Sequence, residues 1–114
     1  MKRFGYVLMV LFCGTGFLAM SDCFAADRIV IGHPACLSGS YAKAGEQAVG
    51  GIQACIDWIN HARGGVNLGG KKVPIGYKYY DCESSKEQVT SLIGRLITVD
   101  KVNVVFAPYS SGLT

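Results

Sequence analysis

The sequence has few of the residue clusters that enzymes and nucleic-acid-binding proteins require. Its 114 residues include only two histidines, His33 and His61, which form no metal-ligand cluster with other side chains. It has no Gly-x-Gly-x-x-Gly after its first apolar strand, no Walker sequence and no Gly-x-Ser-x-Gly. These absences argue against dinucleotide enzymes, P-loop NTPases and serine hydrolases. It also lacks a run of basic residues, so we predict no nucleic-acid partner. Because the sequence has neither a metal-ligand cluster nor a nucleotide motif, we also predict no metal and no cofactor.

Two enzyme interpretations stay open at this stage. Asp81 ends the second predicted strand, where an acidic residue that binds a ribose could lie. His33 is close in sequence to Ser38 and Cys36, as a base would be to a nucleophile, although nothing supplies a third member. We predict no catalytic residue, and interpret His33 as part of a strand terminus.

The amino end has the features of a secretory signal peptide. Lys2 and Arg3 precede an apolar run over residues 4–20, and residues 21–26 read SDCFAA. We predict a signal peptide over 1–25, because a cut after Ala25 leaves small side chains at Cys23 and Ala25. An uncleaved membrane anchor is the alternative, since the run is nearly long enough to span a bilayer. Cleavage implies a periplasmic protein with no stable membrane span, whose mature part, 26–114, is one small domain.

Apolar periodicity predicts an α/β fold with a parallel, doubly wound sheet. Strands are expected over 29–32, 73–80 and 102–106, and helices over 45–62 and from a Ser84 cap to about Val99. A small hairpin is expected at residues 66–72. Right-handed crossovers make the three strands parallel, in the order 2-1-3 with the first strand central.

That strand order predicts a binding site between two loops. The loops over 34–44 and 107–114 follow the first and third strands and should meet at the topological switch point. Their hydroxyls and backbone amides suit an anion such as a carboxylate, and their tyrosines could enclose an apolar part of a ligand. A role in a turn or cap is an equal alternative for Ser38. The candidate ligand-binding residues are Ser111, Ser110, Tyr41, Tyr109, Ser38 and Thr114.

Three cysteines follow the predicted signal peptide. Cys36 and Cys82 come after strands that should be parallel neighbours, so they could form a disulfide at one edge of the sheet. Cys55 falls among apolar helix positions and is expected to be a buried free thiol. The adjacent Gly50 and Gly51 in the same helix suggest close packing of the helix on the sheet.

Several motifs, in order, resemble one family. They are IVIG, LSGSYAKAG at Leu37–Gly45, INHARGGVNLGGKK at Ile59–Lys72, YYDCESSKEQV at Tyr79–Val89 and VVFAPYSSGLT at the end. Together they resemble the amino-terminal part of the periplasmic solute-binding proteins of branched-chain amino acid ABC transporters. The resemblance covers essentially all of residues 28–114, and implies a type I periplasmic binding protein lobe that is incomplete. An amino-terminal fragment of a two-lobe protein is therefore expected.

The resemblance also implies a function. In this family two lobes close over a small solute, and hydroxyls after the third strand bind its carboxylate, a role that falls on Ser111 with Ser110 beside it. The aromatic wall has only Tyr41 as a substitute, because Ala44 stands where an aromatic residue is found in amino-acid binders. The implied function is solute binding for an ABC importer of branched-chain amino acids or related small carboxylates and amides, with permease subunits as partners. A ligand-sensing domain of a receptor or regulator is the alternative.

Overall fold

The computed structural model describes residues 28–114, so the predicted signal peptide lies outside the described residues. The strands are β1 (Ile29–Ala35), β2 (Val66–Leu68), β3 (Lys71–Val73), β4 (Ile75–Asp81) and β5 (Val104–Val105). The helices are α1 (Ala42–Arg63) and α2 (Lys86–Thr98), with short 3-10 turns at Gly39–Tyr41 and Ser111–Leu113. Within residues 28–114, no helix combines the length and the apolar character needed to cross a membrane.

The main sheet is parallel, with β1 between β4 and β5. Its order, β4-β1-β5, is the predicted order 2-1-3, because β2 and β3 form a separate antiparallel hairpin around Gly69 and Gly70. β1 pairs with β4 over its full length, from Ile29 opposite Ile75 to Ala35 opposite Asp81. The carboxyl ends of β1 and β4 therefore coincide, which brings the loops that follow them together.

The two helices cover opposite faces of the sheet. Ile31 of β1 lies with Ile56 and Ile59 of α1 along an open apolar groove. Gly32 lies on the opposite face of β1 from Ile31. It approaches Leu96 of α2 so closely that an added Cβ would lie 2.9 Å from Leu96 Cδ2. Leu96 is fully buried. The alternation of β1 residues between two helices is the doubly wound arrangement that the periodicity predicts.

Helix α1 is fixed to the sheet near both ends. It begins at Ala42, three residues before the predicted start, directly after the 3-10 turn. It ends at Arg63, and Gly64, which has φ 70°, supplies a left-handed cap after it. Asn60 accepts a hydrogen bond from the Ile75 amide and donates one to the Ile75 carbonyl, both at 2.8 Å. This pair satisfies the backbone at the start of β4.

Two expectations about α1 are wrong. Gly50 and Gly51 face solvent, and nothing lies within 4 Å of a Cβ added at either position, so they mark no close helix–sheet contact. The close contact is at Gly45, where an added Cβ would lie 1.8 Å from the Cys36 carbonyl oxygen. Cys55 is exposed instead of buried, because it lies at the rim of the apolar groove between α1 and the sheet.

Strand β1 continues three residues beyond the predicted end at Gly32. Amides and carbonyls of the even-numbered residues face β5, since the Val30 and Gly32 carbonyls accept hydrogen bonds from Asn103 and Phe106. The Pro34 nitrogen therefore lies on the β5 side of β1, beyond the point where β5 ends at Val105. Because no ladder hydrogen bond is required there, proline does not end the strand.

Candidate functional site

The carboxyl ends of the three parallel strands carry three loops, which meet at one edge of the sheet. We name them loop A (residues 36–41, after β1), loop B (residues 82–85, after β4) and loop C (residues 106–114, after β5). Tyr41 of loop A and Tyr109 of loop C face each other, with ring centroids 6.2 Å apart and ring planes tilted by 51°. Tyr109 is 60% exposed. The two predicted loops thus come together, and their tyrosines form an accessible aromatic pair.

Asp81, at the end of β4, holds loop A in place. Its Oδ1 accepts hydrogen bonds from the amides of Leu37 at 2.9 Å, Ser38 at 3.2 Å and Glu83 at 2.9 Å. Partial desolvation of the exposed carboxyl opposes ionisation, but hydrogen bonds from the Ser38 hydroxyl and these amides outweigh it, so the pKa of Asp81 is lowered. Asp81 is therefore committed to backbone groups of its own chain. These hydrogen bonds explain an acidic residue at the end of β4 without a bound ribose.

Ser84 of loop B makes a second set of contacts to loop A. Its hydroxyl donates to the Ser38 carbonyl at 2.7 Å and accepts from the Tyr41 amide at 3.1 Å. Glu83 and Ser84 both have left-handed backbone, with φ 53° and 55°, which is unfavourable for residues other than glycine. The predicted cap at Ser84 is wrong, because Ser85 caps α2 by accepting from the Gln88 amide at 3.4 Å. Ser84 instead fixes the backbone that leads to Tyr41.

The hydroxyls of loop C are not equivalent. Ser110 accepts a hydrogen bond from the Gly112 amide at 3.2 Å, and its carbonyl accepts from the Thr114 hydroxyl at 3.2 Å. Ser111 is exposed, and its hydroxyl has no hydrogen-bond partner among residues 28–114. Leu113 is buried and anchors the loop. Among the serine and threonine hydroxyls of loop C, that of Ser111 is therefore the one with the greatest freedom to contact a ligand.

Cys36 and Cys82 are the first residues of loops A and B, and their sulfur atoms are buried beneath the three loops. Their Sγ atoms are 2.9 Å apart, and both residues are fully buried, in contact with Val89 and Leu113. Burial is the main cause that raises the pKa of Cys36 to about 12, followed by its hydrogen bond with Cys82. The structure brings together the two cysteines for which the sequence suggests a bridge.

His33 is buried and points away from both residues that could have been its nucleophile. Its Nδ1 lies 2.6 Å from the Tyr77 hydroxyl, and its ring packs edge-on against Phe106. It faces the α1 side of the sheet, whereas Cys36 packs with Val89 of α2 on the other side. Burial lowers the pKa of His33, partly offset by a hydrogen bond to the Ala107 backbone. These partners make His33 a core residue that joins β1 to β4 and to loop C.

The site residues predicted from sequence divide into two groups. Tyr41, Tyr109 and Ser111 present side chains that are not committed to internal hydrogen bonds within residues 28–114. Three hydroxyls are used internally, in Ser38, which donates to Asp81, and in Ser110 and Thr114. The positioning of loop A by Asp81 and Ser84 was not predicted, although both residues follow a strand in the YYDCESS motif.

Comparison with known proteins shows similarity to one protein family. A family model described as "Periplasmic binding protein" matches residues 28–114. The substrate-binding protein LivJ of the branched-chain amino acid transporter of Streptococcus pneumoniae, solved with isoleucine, is 35% identical with a TM-score of 0.65. The alignment covers 75% of this chain and 23% of LivJ.

Two further solved structures have the same kind of description. A solute-binding protein of an ABC transporter from R. palustris, in complex with benzoate, is 29% identical with a TM-score of 0.56, over 75% of this chain and 22% of that one. An ABC transporter substrate-binding protein from Sphaerobacter thermophilus is 27% identical with a TM-score of 0.55, over 68% and 19%. The chain therefore spans about a fifth to a quarter of the length of these proteins.

Proposed function

Because this chain belongs to the periplasmic binding protein family, we propose that it forms the first-lobe half of a solute site in the binding component of an ABC importer. It acts by binding and has no catalytic role. It works in the periplasm, after removal of residues 1–25, and delivers the solute to permease subunits. The similarity to substrate-binding proteins of ABC transporters supports the binding role. The proposed removal of residues 1–25 rests on the basic, apolar and small-residue segments of the amino end.

The solute proposed is a small carboxylate with a compact apolar body, such as a branched-chain amino acid or an aromatic acid. The observation that carries this is the Tyr41–Tyr109 pair, which spans loops A and C beside the free hydroxyl of Ser111. Isoleucine and benzoate, the ligands in two of the similar structures, share a carboxylate next to an apolar group. In this proposal Ser111 donates to the carboxylate, and the tyrosine rings contact the apolar body.

Residues that already have internal partners act differently. Ser38, Ser110 and Thr114 hold the loops in the conformation that presents Ser111 and the tyrosines. Direct contact with the solute is assigned to them only through their backbone groups.

Isothermal titration of the full chain with isoleucine, leucine and benzoate tests the proposal. Ser111→Ala should weaken binding of the preferred acid by about 10-fold to 100-fold, since a hydrogen bond to a charged group contributes roughly 1.5–3 kcal/mol. Ser91→Ala is the matched control, because Ser91 is exposed on α2 and outside the three loops. Unchanged affinity for Ser111→Ala, in titrations where Ser91→Ala also binds as the unmodified chain does, would contradict the assignment.

A further inference from the structure

The two buried sulfur atoms have the placement that a disulfide requires. Cys36 and Cys82 continue the β1–β4 register by one residue beyond Ala35 and Asp81, and the Cys82 amide donates to the Ala35 carbonyl at 2.7 Å. Neighbouring strands are about 4.8 Å apart, which is within the range of Cα separations that a disulfide spans, about 4.4–6.8 Å. The sulfur atoms already face each other at 2.9 Å. Bridging them therefore needs a side-chain adjustment of about 1 Å and no change of register.

The surroundings of the pair favour a bridge over the alternatives. Val89 and Leu113 enclose it, with Tyr41, Leu92 and Ile93 packed against them. No group of three or more metal-ligating side chains exists within residues 28–114, so the pair is not part of a closed thiolate metal site. Two thiols that act only as small apolar side chains are the remaining alternative. That alternative gives no reason for the two sulfur atoms to meet.

The pair also touches all three site loops. Cys36 begins loop A, directly before the Leu37 and Ser38 amides that Asp81 holds. Cys82 begins loop B, and the backbone of Tyr109 in loop C makes a hydrogen bond with Cys36. A covalent bond between the two sulfur atoms would therefore fix loop A to loop B directly beneath the aromatic pair.

We propose that Cys36 and Cys82 form a disulfide that locks loops A and B in their observed arrangement. Both thiols lose one hydrogen, and their two electrons and two protons reduce the disulfide of an external oxidant, either a dithiol oxidoreductase or glutathione disulfide, to two thiols. The oxidant must reach the sulfur atoms before loop C closes over them, because both residues are fully buried in the folded structure. The bond therefore forms during folding and resists reductants in the native state.

The weak acidity of the Cys36 thiol supports this order of events. Burial and the hydrogen bond with Cys82 raise the pKa of Cys36 in the folded chain, which lowers the fraction of thiolate, the form that attacks a disulfide. An unfolded chain has an ordinary thiol that ionises far more readily. Oxidation after folding would consequently be slow.

Peptide mapping of the full chain, recovered from the cell envelope and alkylated under denaturing conditions without reductant, tests the bond. Trypsin places each described cysteine on its own peptide, Cys36 on 29–43, Cys55 on 44–63 and Cys82 on 79–86. We expect peptides 29–43 and 79–86 to be linked in most molecules, and peptide 44–63 to be alkylated. Free Cys36 and Cys82 in most molecules, or a link from either one to Cys55, would overturn the proposal.

A second experiment separates a bond from two packed thiols. Without denaturant, a phosphine reductant should leave the link intact for hours, whereas in denaturant it should cleave the link within minutes. Cleavage at equal rates in both conditions would contradict the buried lock. The double variant Cys36→Ala/Cys82→Ala should show faster amide exchange over residues 36–41, while the control Cys55→Ala should not. Neither experiment uses a solute, so the outcome is independent of the proposed transport function.

Discussion

Replacing Gly45 with alanine should push the start of helix α1 away from loop A. The added Cβ would lie 1.8 Å from the Cys36 carbonyl oxygen and 2.6 Å from the carbonyl carbon. Both are backbone atoms at the end of β1, so they cannot rotate away as a flexible side chain could. The helix and the loop must separate by more than about 1 Å, and the contacts of Cys36 beneath the site separate with them.

The expected magnitude follows from two opposing effects. Overpacking of this kind costs about 1–3 kcal/mol, whereas replacing glycine by alanine inside a helix gains about 0.5–1 kcal/mol. Gly45→Ala should therefore lower the free energy of unfolding by up to about 2.5 kcal/mol. Gly50→Ala and Gly51→Ala are matched controls in the same helix, and nothing lies within 4 Å of their added Cβ atoms. Each control should raise stability by about 0.5–1 kcal/mol.

Urea unfolding of the three variants, followed by circular dichroism, measures whether each substitution lowers or raises the free energy of unfolding. Amide exchange over loop A should also become faster in Gly45→Ala and stay unchanged in the controls. If Gly45→Ala is as stable as Gly50→Ala, the close approach of α1 to Cys36 is refuted, and the steric requirement for glycine at position 45 is refuted with it.

Other predictions concern Asp81 and His33. Asp81→Ala removes the acceptor of three amides and should cost on the order of 1–2 kcal/mol in urea unfolding, because the carboxylate is solvent-exposed, while Asp81→Asn keeps one oxygen and should cost less. Burial lowers the pKa of His33 from its ordinary 6.5 despite the hydrogen bond to Ala107. As the pH decreases, His33 is therefore protonated in the unfolded chain at a higher pH than in the folded chain, which favours unfolding. Thermal stability should be complete above pH 6.5 and fall as the pH decreases from 6.5 toward the lower folded pKa, and His33→Gln should remove this dependence. A flat profile in the unmodified chain would contradict a neutral, buried His33.

The sheet order could be predicted from sequence because it depends on few variables. Three short apolar runs separated by two amphipathic segments leave little choice but parallel strands with right-handed crossovers. The observed order β4-β1-β5 follows from those rules and from the first strand being central. The boundaries were less predictable, since Pro34 is compatible with β1 only because β5 ends before reaching it.

The roles of the glycines in helix α1 could not be predicted, because they depend on distances between elements. Gly50 and Gly51 stand out in the sequence as a pair in mid-helix, yet both face solvent. Gly45 does not stand out in the sequence, and its importance is evident only when α1 crosses the backbone of Cys36. Helical periodicity gives the face of a residue and says nothing about how closely a second backbone approaches it.

The hydroxyl-rich loops show a similar limit for the site. A sequence reveals which side chains can form hydrogen bonds, but the folded chain uses most of those groups itself, as with Ser84, which joins loop B to loop A, and Ser110, which caps the last turn. A group that already has an internal partner gains little by exchanging it for a solute, because one hydrogen bond replaces another. The groups that gain are those exchanging water for a solute, which among the predicted ligand-binding residues are the Ser111 hydroxyl and the rings of Tyr41 and Tyr109. In the proposed function, recognition by this half of the site depends on these three side chains, while the polar residues around them determine where the three side chains lie.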